Sequence, residues 1–198
     1  MSTLPEKLSK MPVSLSIILV WIIVWILVAC SKNTLSMLAG KGLAKIDNQY
    51  YRFFTAGLVH KHPVHLIANV CAMFWIGFLY ESRVGSLKFL AVGVICAVLC
   101  EIIIAAIYRN ATECIGGSPY NYALLGFGLT MQLMIPGFPK FALGTWSGNW
   151  LLVYCIASNI PVSISILPFV DIATVITHLI AFVLGAAAAF LCWLLGMR

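Results

Sequence analysis

The chain has 198 residues, of which 62% are hydrophobic and only 9% are charged, and its mean hydropathy is +1.02. Soluble domains carry about 25% charged residues, so this composition excludes an ordinary soluble protein and indicates a multi-pass membrane protein. The net charge of +6 is spread among the loops, which favours anionic lipid headgroups over nucleic acid as partners. We expect one membrane domain over residues 1–198. The absence of a soluble extension favours a prokaryotic plasma membrane.

Six apolar stretches are each close to the roughly 20 residues that a helix needs to cross about 30 Å of hydrocarbon. They lie at 11–30, 64–80, 86–108, 118–135, 149–168 and 172–196. The fifth stretch contains Pro161 and Pro168, so we expect it to be kinked or short. The sequence therefore predicts an all-α bundle of six transmembrane helices.

The longest segment between these stretches covers about residues 31–63 and is neither low in complexity nor strongly charged. Aromatic residues and leucines are spaced through it, a pattern typical of short amphipathic pieces in the membrane interface. We expect a partly folded interfacial loop between the first and second helices.

Ionisable residues within membrane spans usually face a cavity or a partner, because a charge at the bilayer centre is costly. His65 and Asn69 are four residues apart in the second span, so they project from one face of that helix. Glu101 lies in the third span and His178 in the sixth. A histidine of this kind often only joins two helices through a hydrogen bond. For Glu101 the simplest expectation is a neutral carboxyl group hydrogen-bonded between helices.

Residues 115–126 read "IGGSPYNYALLG". Gly116 and Gly117 permit backbone conformations and close approaches that other residues resist, and Pro119 suits the first turn of a helix. We therefore expect Ser118 at a helix N-terminus, where free N–H groups and the helix dipole favour a developing oxyanion. The alternative is that Ser118 only caps that helix.

Together these residues form a chemical set for acyl transfer. The Ser118 hydroxyl needs a base, the His178 imidazole can accept its proton, and His65 with Asn69 can donate hydrogen bonds to a tetrahedral oxyanion. Asp171 precedes His178 by seven residues, which is too far along one helix to orient the ring. A Ser–His dyad is the simplest arrangement.

Two other chemistries are open to these residues. Cys114, four residues before Ser118, is a second candidate nucleophile, although nothing near it in the sequence would lower the pKa of its thiol. His60, His62 and His65 form an H-x-H-x-x-H cluster that would suit a transporter or a metal-handling protein. Metal sites need three or four convergent ligands, and His65 is better explained by its pairing with Asn69, so we expect no metal and no cofactor.

Four segments run from the first long loop to the last helix, and three of them carry the residues of this chemical set. They read "YRFFTAGLVHKHPVHLIANV" at 51–70, "ESRVGS" at 81–86, "GGSPYNYALLG" at 116–126 and "THLIAFVLGA" at 177–186. Each motif alone is short, but the H-x-x-x-N, the G-x-S and the late histidine occur together. The chain resembles a rhomboid intramembrane serine protease of the minimal six-helix form.

The resemblance implies a serine endopeptidase that cleaves transmembrane segments of protein substrates within the lipid bilayer. It implies that Ser118 is the nucleophile and His178 the general base. It also implies that His65 and Asn69 stabilise the oxyanion and that Tyr122 packs on the catalytic histidine.

The resemblance assigns structural roles as well. It implies that Arg52, Glu81 and Arg83 support the first loop and the second helix, and that Gly185 lets the sixth helix approach the fourth closely. The main departure is Pro119, where the family usually has glycine. Because proline removes a backbone N–H, this residue favours the alternative of an inactive rhomboid-like protein that binds transmembrane clients.

Overall fold

The computed structural model describes residues 4–160 and 170–196. Within these ranges it is helical, with a single 3-10 turn after α4 and no β-strand. The helices are α1 (Leu4–Leu8), α2 (Pro12–Cys30), α3 (Lys32–Leu38), α4 (Arg52–Thr55), α5 (Pro63–Val84), α6 (Ser86–Ile107), α7 (Ser118–Met134), α8 (Trp146–Ala157) and α9 (Ile172–Leu194). The kink predicted at Pro161 and Pro168 lies outside the described residues.

Four helices are long and apolar enough to cross a membrane: α2, α5, α6 and α9. Each of the other two predicted spans also contains a helix, but α7 has 17 residues and α8 has 12 within the described part of the chain. The count of six transmembrane helices therefore stays a prediction, and the all-helical class is confirmed.

α7 is the central helix of the bundle, because its first ten residues after Ser118 are all buried. A helix that is buried on every face can carry polar residues that have partners inside the protein. α2 has the opposite character. It leaves many large apolar side chains exposed, among them Leu19, Ile23, Ile26 and Leu27, and such a surface suits lipid rather than water.

Two glycines allow α7 and α9 to pack closely. A Cβ atom on Gly185 of α9 would collide with the carbonyl oxygen of Ala123, and one on Gly126 of α7 would collide with the carbonyl oxygen of Phe182. Small residues permit such close approach between membrane helices. This crossing holds the first half of α9, with His178, against the first turns of α7.

Glu81 near the end of α5 joins three helices. Its carboxylate accepts hydrogen bonds from the backbone N–H groups of Val13 and Ser14 at the start of α2, each at 2.8 Å. The hydroxyls of Ser14 and Ser86 donate to it at 2.6 and 2.8 Å. A carboxylate is favourable at a helix N-terminus, so Glu81 anchors α2 and the start of α6.

The loop between α2 and α5 is folded. The Arg52 guanidinium is buried and donates to the carbonyl oxygens of Ser36 and Ala39, at 2.8 and 2.7 Å. Gly40 and Cys114 exchange two backbone hydrogen bonds of 2.8 Å. The loop is thereby tied to the segment that leads into α7, which carries the candidate nucleophile.

Candidate active site

One cavity of about 950 Å³ opens among α5, α6, α7, α8 and α9. Its lining includes His65, Asn69, Ser118 and His178, which come from three different helices. Tyr122 does not line the cavity; it is buried beside His178. Folding thus brings all five predicted site residues to one place.

Ser118 is the first residue of α7. Gly117 occupies the capping position before it, so the alternative in which Ser118 caps the helix is wrong. Among the described residues the Ser118 hydroxyl has no hydrogen-bond partner and lines the cavity. Pro119 lies in the first turn of α7, where its missing N–H breaks no helical bond.

The two glycines before Ser118 are required by their surroundings. Gly116 has a φ of +126°, a conformation that side chains disfavour, and a Cβ atom there would lie 2.6 Å from Cε1 of His65. A Cβ atom on Gly117 would collide with the indole of Trp21. Any larger residue at either position would move the serine or the ring beside it.

The backbone N–H groups of both glycines are already engaged. Gly116 donates to the carbonyl oxygen of Ala56 at 3.1 Å, and Gly117 donates to Nε2 of His60 at 3.2 Å. Pro119 has no N–H. The N–H group at the start of α7 that is left to bind an oxyanion is therefore that of Ser118.

His60 supports this loop as a neutral imidazole. It is 0% exposed, and burial, with the nearby His65 ring as the second cause, lowers its pKa to about 3, although the Leu58 backbone opposes the shift. A neutral ring can accept the Gly117 N–H, whereas a protonated ring cannot. In the part of the chain that the structure describes, no group of three or more His, Cys, Asp or Glu side chains could hold a metal ion.

His178 is held by a residue that the sequence did not indicate, Asn159. The Asn159 Nδ2 atom donates to the carbonyl oxygen of Cys155 at 2.8 Å and to the Tyr122 hydroxyl at 2.5 Å. Its Oδ1 atom, 3.0 Å from Nδ1 of His178, must therefore accept a hydrogen bond from that ring nitrogen. The proton of the neutral imidazole then lies on Nδ1, and Nε2 is free to accept another.

Tyr122 supports the same ring from behind. Its ring stacks on the His178 imidazole, with centroids 4.2 Å apart and an interplanar angle of 16°. The Tyr122 hydroxyl contacts Ser158 Oγ at 2.6 Å. The Ser158 hydroxyl in turn donates to the Tyr154 carbonyl oxygen at 2.5 Å. The imidazole is thus held in one plane and one tautomer.

Asn69 is connected to α7 and α8. Its Oδ1 atom accepts from Asn121 Nδ2 at 2.9 Å and from the Tyr154 hydroxyl at 3.0 Å, and its Nδ2 atom donates to the His65 carbonyl oxygen at 3.0 Å. One proton of Nδ2 remains for a ligand in the cavity. Sequence reasoning missed Asn121 and Tyr154; a polar residue three positions after Ser118, in a helix buried on all sides, was the available signal.

The structure contains no hydrogen bond between Ser118 and His178 within the described residues, although both line the cavity. Catalytic hydrogen bonds are often long in proteins without substrate and shorten when it binds.

Cys114 does not have the properties of a nucleophile. Burial, followed by the charges of Glu101, Glu113 and Asp171, raises the pKa of its thiol to about 11. A reactive cysteine needs a lowered pKa.

Comparison with known proteins agrees with this architecture. A family model described as the Rhomboid domain matches residues 47–195. The chain has no significant match among curated proteins. Together with the four membrane-capable helices, the family match shows an integral membrane protein of a polytopic fold.

Proposed function

Because the chain belongs to the rhomboid family, we propose that it is an intramembrane serine endopeptidase that cleaves transmembrane segments of protein substrates. One observation carries the proposal. His178, with Nδ1 bound to Asn159 and its ring stacked on Tyr122, lines the same cavity as Ser118. An oriented imidazole and a serine hydroxyl without a partner in the same cavity are the two groups that general-base activation of a hydroxyl requires.

The reaction follows from these contacts. His178 Nε2 takes the proton of the Ser118 hydroxyl, which attacks a peptide carbonyl carbon of the substrate. The Asn159 oxygen stabilises the imidazolium that forms. The oxyanion is stabilised by the Ser118 N–H, and by Asn69 and His65 on α5. The imidazolium returns its proton to the leaving amine, and water then hydrolyses the acyl-enzyme.

A second candidate is a rhomboid-like protein that binds transmembrane clients without cleaving them. Pro119 favours it, because the residue lacks an N–H and the N–H groups of Gly116 and Gly117 are engaged elsewhere. Such a protein would keep the bundle and the cavity and would lose only the chemistry.

Labelling with a fluorophosphonate probe separates the two candidates. Purified wild type should be labelled, whereas Ser118→Ala and His178→Ala should not. Ser36→Ala is the control: Ser36 is an exposed serine on α3, so this variant should be labelled like wild type. The same preparations should be tested for cleavage of a transmembrane substrate. A folded wild type that is neither labelled nor cleaves would contradict the protease and favour client binding.

We also propose that α7 and α8 complete a six-helix topology in one domain. The burial of α7 on all its faces supports this, because α7 runs through the middle of the bundle. Six spans place residues 110 and 140 on opposite sides of the bilayer. Impermeant thiol labelling of Asn110→Cys and Lys140→Cys in sealed vesicles tests this, and reaction of both from the same side would refute it.

A further inference from the structure

Glu101 on α6 is a buried residue whose carboxyl group faces the cavity without a hydrogen-bond partner. It is 6% exposed and lines the cavity, and it makes no hydrogen bond or ion pair with any residue in the described ranges. The expectation that it is hydrogen-bonded between helices is therefore wrong. Glu81 shows the contrast, because four donor groups surround that buried carboxylate. A buried carboxyl without partners is costly, and such residues point to function.

Glu101 lies at the level of the candidate base. The Cys100 thiol on α6 donates a hydrogen bond of 3.4 Å to the carbonyl oxygen of Thr177 on α9. Glu101 and His178 each follow one of these two residues and both line the cavity. Packed helix axes lie about 8–10 Å apart, so a substrate at Ser118 has the Glu101 carboxyl on one wall of its binding site.

The other carboxylates in the cavity lining already have partners. Glu113 forms an ion pair with Lys61 at 3.1 Å. Asp171 caps α9, where it accepts from the backbone N–H of Thr174 at 2.7 Å. The cavity thus has one carboxyl group, that of Glu101, that no described cation or hydrogen-bond donor pairs with.

We propose that Glu101 is a specificity residue that binds a cationic substrate side chain, lysine or arginine, close to the cleaved bond. The proposal rests on the proposed endopeptidase function. An extended chain advances about 3.3 Å per residue, so a separation of about 8–10 Å between neighbouring helices corresponds to about three substrate residues. A lone cation and a lone carboxyl are each costly at membrane depth, and pairing them satisfies both.

The test uses a set of transmembrane substrates in proteoliposomes. Each carries a single lysine or, as its neutral match, glutamine, scanned from four residues before to four residues after the cleaved bond. We expect wild type to cleave the lysine substrate at least about tenfold faster in kcat/KM at one of these positions. Glu101→Gln should reduce that ratio to about one.

Two controls sharpen the test. Glu113→Gln changes a cavity carboxylate that is already paired, so it should keep the lysine preference. If Glu101→Gln fails to fold, a glutamate scan on wild type replaces it, because glutamate at the preferred position should be cleaved more slowly than glutamine. A wild type without lysine preference at any position, or a preference that survives Glu101→Gln, overturns the proposal.

Failure of the protease proposal gives a different result. In that case wild type cleaves no substrate, including the neutral ones. The inference is then tested by binding. The lysine and glutamine transmembrane segments are bound to Ser118→Ala and to the double variant Ser118→Ala/Glu101→Gln, and their affinities are compared. Tighter binding of the lysine segment that requires Glu101 supports it, and equal binding of both segments overturns it.

Discussion

Asn159→Ala should slow catalysis without weakening substrate binding. Asn159 accepts the hydrogen bond from Nδ1 of His178, and in the transition state that ring carries a positive charge. A hydrogen bond to a charged group contributes about 1.5–3 kcal/mol, and each 1.36 kcal/mol is about tenfold in rate. We therefore expect kcat to fall roughly 10- to 150-fold.

The effect on KM should be small, because Asn159 does not line the cavity in which a substrate would bind. The assay is steady-state cleavage of a transmembrane substrate in proteoliposomes. Asn149→Ala is the matched control. Asn149 lies on α8, is exposed, and its side chain accepts a hydrogen bond only from the Gly144 backbone N–H, so its loss should leave kcat unchanged.

Asn159→Asp tests the direction of the hydrogen bond. A carboxylate keeps the acceptor for Nδ1 of His178, so this variant should retain most of the kcat that alanine loses. The reasoning is refuted if Asn159→Ala has the kcat of Asn149→Ala, if the loss lies in KM alone, or if aspartate is as damaging as alanine.

Two further predictions concern stability. Because the folded protein lowers the pKa of His60 to about 3 against about 6.5 in an unfolded chain, stability should be full above pH 6.5 and fall toward pH 3, by up to about 1.4 kcal/mol per pH unit. Thermal unfolding of His60→Gln, which can still accept the Gly117 N–H, should depend less on pH; an unchanged profile contradicts this. Gly185→Ala should cost about 1–3 kcal/mol by overpacking against the Ala123 carbonyl. Gly57→Ala, where a Cβ atom meets nothing within 4 Å, should unfold like wild type, and equal melting temperatures of the two alanine variants would refute the packing argument.

Local patterns were sufficient for the helices and for the start of α7. A run of apolar residues determines its own burial in lipid, so the predicted stretch at 86–108 agrees closely with α6 at Ser86–Ile107. The Gly-Gly-Ser-Pro sequence follows backbone rules that act within a few residues, and it located Ser118 at a helix start. The fifth stretch was expected to be kinked or short, and α8 has 12 residues within the described part of the chain; it begins at Trp146, three residues before the predicted stretch, in a polar segment that hydropathy does not mark.

The support of the base was decided by tertiary structure. Asn159 carries no local signature, and its bond to His178 spans 19 residues. It forms because α7, α8 and α9 meet at the depth where Tyr122 can stack on the imidazole. No short-range rule encodes that depth, since it depends on the glycines that let α7 and α9 approach.

The position of Glu101 could likewise be predicted from the sequence, whereas its surroundings could not. Its position in an apolar helix was evident from the sequence, and the cost of burying a carboxyl group indicated that it would have a partner. Which groups surround it depends on how α6 packs against α9, through the bond from Cys100 to Thr177. The composition of α6 is enough to predict that a costly group lies inside the membrane domain. That this group faces the cavity follows from helix packing, which sets the direction of each side chain.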